Sequence, residues 1–366
     1  MTIDDSRSGQ FTRRQAIGLL GTAVGGIGSV AAAYGQGGSR GQGGDGSHTP
    51  TKEWLDQVIE DPIEADIPII DSHHHMRYTP GPSRYNLEDI LADTKGNNIR
   101  QSVCLIDTSL VEWVNGCAAE AASGVLGGTQ IAAGIVGGGD LMQGDRAATE
   151  LELQMAMTRR FRGMRHMTIW TNPPVRPQNT TEHMLVDPQF LKGIAQVHRL
   201  GLSFEAWLYY NQLHDVVELA QKFPELPIVL NHIGGPLGVG AWEGKIEEVF
   251  TAWKPAIAEV AKCPNVYVKV GGLGTGYLTG FGWEKRPKPP TSDELVAKNR
   301  RWWDYTISVF TPQRCMFESN FPGDKESYSY TVCWNHFKKY SKSYTKAERA
   351  AMFHDTAMRV YRLSRV

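Results

Sequence analysis

The chain has 366 residues, enough for two average domains or one large domain with appendages. Hydrophobic residues make up 41% and charged residues 21%, a globular composition that excludes a wholly disordered protein. Lys and Arg number 38 against 39 Asp and Glu, a balance that argues against a general nucleic-acid binder. We therefore expect no nucleic-acid partner.

The five cysteines are widely spaced and form no Cys-x-x-Cys pair. This spacing indicates neither a disulfide framework nor a structural zinc site. We expect buried free thiols, the usual state of unpaired cysteine. The residues concerned are Cys104, Cys117, Cys263, Cys315 and Cys333.

The first fifty residues indicate an export segment rather than part of a fold. Arg13 and Arg14 precede an uncharged stretch rich in Gly and Ala, residues 16–33. This pattern predicts a twin-arginine signal peptide over residues 1–33, followed by a flexible glycine-rich linker over residues 34–50. A membrane span and a disordered cytosolic tail are the alternatives. With the signal, the twin-arginine translocase is a partner during export, and the protein works in the periplasm or outside the cell.

From Asp66 onward, short apolar runs alternate with amphipathic segments. Strand–helix alternation predicts a parallel sheet covered by helices, and eight such units match a closed barrel better than an open sheet. We therefore predict an α/β fold with one domain over residues 51–366, a (β/α)8 TIM barrel. The predicted strands are 67–70, 102–106, 131–136, 161–164, 202–207, 227–230, 266–270 and 315–317.

The predicted helices follow these strands, and several begin at capping residues such as Asn86, Asp187 and Ser292. The glycine-rich turns contain no GxGxxG pattern, which disfavours a dinucleotide-binding sheet. The predicted helices are 86–93, 147–158, 188–200, 214–222, 246–261, 293–310, 326–340 and a final one over 346–363.

In such a barrel the functional residues lie at the C-terminal ends of the strands. The first predicted strand leads into three consecutive histidines, residues 73–75. Because side chains alternate along a strand, His73 and His75 should point the same way and His74 the opposite way. Two imidazoles on one face can bind a divalent metal ion. A hydrogen-bonded histidine cluster without metal is the alternative.

Two further strand ends carry polar side chains. His232 follows the sixth predicted strand, where a role in the site and a purely structural role are both open. The fourth strand ends with Arg165 and His166. Arg165 offers a cation to a substrate carbonyl or carboxylate, or an ion pair within the barrel.

These strand-end motifs resemble those of a known family. The chain is similar to the amidohydrolase superfamily, in its amidohydrolase-related branch of TIM-barrel metal-dependent hydrolases, from about residue 67 to residue 362. That branch includes sugar-acid lactonases, a pyrone-dicarboxylate lactonase and, more distantly, aromatic-acid decarboxylases. The motifs that carry the resemblance occupy residues 71–75, 162–166, 230–236, 268–272 and 317–322.

The resemblance implies that His73 and His75 are metal ligands and that His232 is catalytic. The chain departs from the family pattern at Asn320, where an Asp is usual, and at Tyr210, where a His often stands. Asn offers one neutral oxygen and cannot accept a proton as a general base. We therefore expect a weakly bound zinc or manganese ion, or a site that works without metal.

With a metal, His73 and His75 would hold the ion while His232 moves the proton. Without one, His232 or a nearby carboxylate would be the base, and Arg165 together with His73 and His75 would polarise the carbonyl. The candidate catalytic residues are His232, Asn320, Glu205 and Asp324, with Glu318 as a further carboxylate.

The long segment 271–291 after the seventh predicted strand carries Tyr277, Phe281 and Trp283. Its length predicts a substrate lid; a surface loop that packs its aromatic residues on the barrel rim is the alternative. The candidate substrate-binding residues are Arg165, His166, Tyr210 and Trp283.

The leading functional hypothesis is a hydrolase for a small cyclic ester or a related carbonyl compound. Non-oxidative decarboxylation of an aromatic acid is the alternative enzyme, and a barrel that only binds a ligand is the non-catalytic one. Each implies a small-molecule partner, and each leaves a homo-oligomer open.

Overall fold

The computed structural model describes residues 50–78 and 84–365. The predicted signal peptide and all but the last residue of the predicted linker lie outside the described residues. Within these two ranges, no helix combines the length and the apolar character that crossing a membrane requires.

Eight parallel strands form one sheet in the order of the sequence. The sheet closes where β1 meets the residues after β8, since the His75 N–H donates to the Phe321 carbonyl at 2.7 Å and the Asn320 N–H to the His73 carbonyl at 2.8 Å. The predicted (β/α)8 barrel is thereby confirmed. The strands are β1 Ile69–His74, β2 Ile99–Ile106, β3 Gln130–Gly137, β4 Phe161–Met167, β5 Ser203–Trp207, β6 Ile228–Leu230, β7 Val266–Val270 and β8 Cys315–Phe317.

Helices follow the strands and begin where the sequence offers caps. Asn86 accepts hydrogen bonds at the first turn of α2, and its own N–H donates to the Asp89 carboxylate at 2.9 Å. The helices are α1 Lys52–Leu55, α2 Leu87–Thr94, α3 Val111–Ala122, α4 Ala147–Met157, α5 Pro188–Arg199, α6 Leu213–Lys222, α7 Ile246–Ala261, α8 Ser292–Phe310, α9 Tyr330–Tyr340, α10 Lys346–Ala350 and α11 Thr356–Val360.

Several predicted boundaries were wrong. The first strand does not end at residue 70 but runs to His74, because its pairing with β2 continues to the His74–Cys104 pair. The helix predicted from residue 326 begins at Tyr330, where the Ser329 side chain supplies the cap. The cap of α8 is Thr291 rather than Ser292.

Two errors concern whole helices. The final predicted helix is divided by a π-helical turn, Ala351–Asp355, and ends at Val360. Helix α3 was not among the predicted helices. The prediction of free thiols is confirmed, since all five cysteines are unpaired and four are buried.

The barrel interior below the strand ends is apolar. Side chains from β1, β3, β6 and β8 contact one another there. Strands on opposite sides of a closed barrel can do so only through its interior. The residues after the π-helical turn fill the lower opening. This interior cluster consists of Ile70, Val103, Leu105, Val136, Val229 and Met316 from the strands with Ala357, Val360, Tyr361 and Leu363.

Candidate active site

The three consecutive histidines at the end of β1, His73 to His75, divide as strand alternation predicts. Nε2 of His73 lies 3.1 Å from Nε2 of His75. His74 turns to the other face, where its Nε2 is hydrogen-bonded to the Ser102 hydroxyl at 2.9 Å. His73 and His75 therefore belong to one centre, and His74 joins β1 to β2.

One carboxylate lies between two histidines of this centre. Glu318 accepts a 2.7 Å hydrogen bond from Nδ1 of His232 through Oε1. Its Oε2 lies 2.9 Å from Nδ1 of His73 and accepts no hydrogen bond there or from any other described residue. The Glu318 side chain is fully buried, so this second oxygen is a polar atom that still needs a partner.

Lys269 influences which ring nitrogen of His73 carries the proton. Its Nζ lies 3.2 Å from Nδ1 of His73, which can accept from the ammonium. His73 then carries its proton on Nε2 and donates it to His75, whose own Nδ1 donates to the Leu105 carbonyl at 2.8 Å. The His73 proton thus has two places, on Nε2 toward His75 or on Nδ1 toward Oε2 of Glu318.

The second of these arrangements fits a divalent ion. With its proton on Nδ1, His73 presents a lone pair to the lone pair of His75 across 3.1 Å. Two imidazole nitrogens that each bind one ion at about 2.0–2.1 Å come about that close together. Burial lowers the pKa of both imidazoles well below the ordinary value, with Lys269 adding to the effect at His73 and Arg165 at His75. Both rings are therefore neutral near pH 7, as metal ligands must be.

A buried ion pair lies beneath the histidines. Nζ of Lys269 lies 2.9 Å from Oε2 of Glu205, and both side chains are fully buried. Glu205 also accepts hydrogen bonds from the Asn231 amide and the Tyr361 hydroxyl, each at 2.5 Å. These donors occupy both of its oxygens, so the contacts assign Glu205 to holding Lys269 in place.

The backbone around His232 is shaped to aim its ring. His232 has a left-handed φ of 51°, which is uncommon for a residue with a Cβ. Its ring packs edge-on against Trp207, with 4.6 Å between ring centroids. Gly272 leaves the space: at φ 67° it has no Cβ, and a Cβ there would lie 1.9 Å from Nδ1 of His232.

Asn320 is bound to a second buried carboxylate. Its amide Nδ2 donates to Oδ1 of Asp324 at 2.8 Å. Oδ2 of Asp324 accepts from the Gly274 N–H at 2.9 Å and from the Tyr328 hydroxyl at 2.5 Å. Burial raises the pKa of Asp324 to about 6, with these hydrogen bonds opposing it. Asn320 therefore uses its amide hydrogens to hold Asp324, which an aspartate could not do.

The side of the site toward solvent is basic and aromatic. Arg165 lies close enough to His73 and His75 to lower the pKa of each. The Arg176 guanidinium lies 5.4 Å from the ring centroid of exposed Tyr277. The buried Tyr209 hydroxyl has no hydrogen-bond partner among the described residues. Guanidinium and phenol groups of this kind suit the oxygen atoms of a small polar substrate.

Three residues predicted to bind substrate have other contacts. Nδ1 of His166 accepts from the Leu141 N–H at 3.1 Å, and its ring packs against Phe190. The Tyr210 hydroxyl accepts from the Trp242 indole at 3.0 Å. Trp283 is buried and contacts Phe281 and Arg286 of its own loop. Of the four predicted residues, only Arg165 is tied to the histidine centre by these contacts.

Several residues of the site were not among the main candidates predicted from the sequence. Lys269 had a usable signal, because a lysine between valines in a short apolar strand must point into the barrel or pair. Glu318 follows β8 directly and was considered only as one of several carboxylates. Tyr361 and Arg176 had no local signal, since folding alone brings them to the site.

The amidohydrolase family model matches residues 70–363. The chain belongs to the amidohydrolase family. Its curated relatives include uncharacterized protein y4mH of Sinorhizobium fredii, 30% identical over 82% of this chain and 100% of that protein. An L-fucono-1,5-lactonase of Burkholderia multivorans is 26% identical over 60% of this chain and 69% of the lactonase. The family and these relatives make this amidohydrolase a hydrolytic enzyme.

Solved structures show the same fold. A crystal structure of an amidohydrolase from Burkholderia multivorans with bound zinc has a TM-score of 0.64 and 23% identity to this amidohydrolase. The alignment covers 81% of this chain and 100% of that one. The barrel fold is therefore shared along the full length of that relative.

Proposed function

We propose that this amidohydrolase hydrolyses a small cyclic ester, a lactone, to its hydroxy acid. The observation that carries the proposal is the pair formed by His232 and Glu318 beside the facing imidazoles of His73 and His75. A relative named as an L-fucono-1,5-lactonase supports the same substrate class. Ester hydrolysis needs a base for water, a polarised carbonyl and a proton for the leaving oxygen.

His232 is the proton-transfer residue of this proposal. Its Nδ1 donates to Glu318, so the lone pair is on Nε2. Nε2 takes a proton from the attacking water, and the neighbouring carboxylate stabilises the imidazolium that forms. The same proton then passes to the ring oxygen as the carbonyl carbon–oxygen bond breaks. One water is consumed, the lactone opens to a hydroxy acid, and His232 returns to its neutral form.

His73 and His75 are the residues that would hold a divalent ion such as zinc or manganese. When bound, such an ion polarises the carbonyl and lowers the pKa of water. With an ion bound, the Nδ1 proton of His73 would face Oε2 of Glu318, and that of His75 would face the Leu105 carbonyl. Both Nε2 atoms would then be aimed at one point. Arg165 binds substrate oxygen on the open side.

The test is a turnover screen with the full chain, after removal of metal and after return of zinc or manganese. Sugar-acid lactones, aryl esters and aromatic carboxylic acids form the panel, with acid release and carbon dioxide release followed separately. We expect acid release from lactones only. His232→Gln should lower kcat/KM by about 10²–10⁴-fold, whereas His198→Gln, which changes an exposed histidine of α5, should not alter it.

Carbon dioxide release from aromatic acids without lactone turnover would favour a decarboxylase instead. Unchanged lactone turnover in His232→Gln would show that another group transfers the proton.

We also propose that the mature protein works in the periplasm or outside the cell. Arg13 and Arg14 before the Gly- and Ala-rich segment support this location. Replacing both arginines with lysine should leave precursor in the cytoplasm, as fractionation of cells producing each form would measure. Normal periplasmic accumulation of the lysine form would contradict the twin-arginine route.

A further inference from the structure

A second group of potential metal ligands lies apart from the histidine centre. His183 is in the loop between β4 and α5, and His214 and Asp215 are in the first turn of α6. These residues follow β4 and β5, whereas the histidine centre is built on β1, β6 and β8. None of the three takes part in the proposed lactone hydrolysis, so the following inference does not rest on that function.

The three side chains converge on one oxygen atom. Oδ1 of Asp215 lies 3.1 Å from Nδ1 of His183 and 3.0 Å from Nε2 of His214. One ligand atom from each residue lies within 4.8 Å of the others. The two rings meet edge to face, with 5.3 Å between their centroids. The two nitrogen–oxygen distances of 3.1 and 3.0 Å are close to the separation of ligand atoms that bind one zinc ion at about 2.0–2.2 Å.

The Asp215 carboxylate is buried, and only one of its two oxygen atoms has a partner in the part of the chain that the structure describes. Asp215 is 1% exposed, and its second oxygen, Oδ2, accepts no hydrogen bond from the described residues. Two imidazoles crowd one oxygen while the other has none, an arrangement that poorly satisfies a buried carboxylate. A cation bound beside the carboxylate would neutralise its buried charge.

The surroundings of the cluster are acidic. Glu182 is the residue before His183 in the chain, and Glu218 lies one helical turn after His214 in α6. The N-terminal end of α6 carries partial positive charge and works against a cation. The carboxylates of Asp215, Glu182 and Glu218 supply the opposing negative charge. Both imidazoles are more than half exposed, so an ion can enter from solvent.

We propose that His183, His214 and Asp215 form a second divalent-metal site. Two imidazole nitrogens and one carboxylate oxygen are the ligand set that suits zinc, with the remaining position left for water. The bound ion would join the β4–α5 loop, which also carries Arg176, to the start of α6. The site therefore braces the loop that places Arg176 beside Tyr277.

The test counts zinc on the full chain after chelation and dialysis. Isothermal titration with zinc chloride compares the native protein with the His183→Asn/His214→Asn variant. His198→Asn, which removes an exposed histidine of α5, is the matched control. We expect the double variant to bind one equivalent fewer than the native protein and the control, whatever the histidine centre binds. Zinc should also raise Tm less in the double variant.

His214→Asn keeps the His183–Asp215 hydrogen bond and hence the local fold. It should weaken binding at this site on the order of tenfold or more, and diffraction data collected at the zinc absorption edge should lose the peak beside Asp215. Equal zinc stoichiometry in the native protein and the double variant would overturn the proposal. So would a zinc-soaked native crystal without a peak at Asp215.

Discussion

At the lower end of the barrel interior, Ile70, Val103 and Met316 pack against Val360 and Leu363 with no polar partner to satisfy. At the upper end, His73, His232 and Glu318 fill the same interior with groups that burial destabilises. The apolar end gains free energy from every buried side chain, whereas the polar end gains none unless each group finds its partner. The apolar lower layer of the barrel interior therefore provides stability, and the polar upper layer holds the groups that carry out the chemistry.

The two layers are joined by a short polar column. Tyr361 belongs to the apolar cluster through its ring, and its hydroxyl donates to Glu205. Glu205 holds Lys269, which in turn contacts His73. The comparison therefore predicts that substitutions in the upper layer reduce activity, that those in the lower layer reduce stability, and that those in the column reduce both.

The largest effect is expected for the facing imidazoles. His73→Asn and His75→Asn should each lower kcat/KM for a lactone by about 10³-fold or more, because each removes one of two converging nitrogens. His74→Asn is the matched control from the same strand and should stay within about tenfold of the native rate. Kinetics with zinc in the buffer, together with zinc analysis, measures all three. An inactive His74→Asn beside an active His73→Asn would reverse the assignment.

Lys269→Met breaks the column and should reduce both properties. It leaves the Glu205 carboxylate buried without its cation, at a cost of about 3–5 kcal/mol in the free energy of unfolding. Urea denaturation at pH 7 measures that loss, and steady-state kinetics the accompanying fall in kcat. Glu205→Gln in the same chain should recover part of the stability but not the rate. Native stability in Lys269→Met alone would show that the two layers are not coupled.

Leu363→Ala should reduce stability alone. Leu363 is buried in the lower cluster, and removing its side chain should cost about 2–4 kcal/mol in the free energy of unfolding with kcat unchanged. Ile59→Ala, at an apolar residue that is 79% exposed, is the control and should change stability by less than about 0.5 kcal/mol. A lowered kcat in folded Leu363→Ala would mean that the layers are not separate.

Asn320→Asp should give the smallest effect, and one that depends on pH. The pKa of Asp324 is raised from 3.8 to about 6, so the folded state binds this proton more tightly and stability falls as pH rises from 4 through 6. Asn320→Asp removes the amide donor and adds a second carboxylate beside Asp324. The loss of stability with rising pH therefore becomes larger. We expect about 1–3 kcal/mol lower stability at pH 8 and a smaller difference at pH 5.

The Asn320→Asp/Asp324→Asn variant exchanges the amide and the carboxylate and is the control for this pair. It should regain most of the native stability at pH 8, as thermal unfolding across pH would measure. Equal stability of Asn320→Asp at pH 5 and pH 8 would show that the two groups do not interact.

The sequence was sufficient to predict the barrel and the division among the histidines of β1, because both follow from periodicity. Alternation with a period of two places His73 and His75 on one face without any knowledge of the rest of the chain. Strand–helix alternation likewise predicts the parallel sheet and its order.

The contacts that position the site residues could not be predicted from local sequence patterns. Lys269 meets His73 across 196 residues and Tyr361 meets Glu205 across 156, and no periodicity encodes a partner at that separation. Asn320 shows the same difficulty, since the sequence presents it as a missing ligand. In the fold its amide is the hydrogen-bond donor that a buried aspartate requires.

The hydrogen bond that the Tyr361 hydroxyl donates to Glu205 can form only after Tyr361 has been synthesised. All eight strands leave the ribosome before this tyrosine does, so a nascent chain can assemble the barrel wall while Oε1 of Glu205 still lacks its donor. We therefore expect hydrolytic activity to require the segment that closes the lower end of the barrel. A protease that cuts the chain near the π-helical turn would detach that segment and silence an otherwise assembled enzyme.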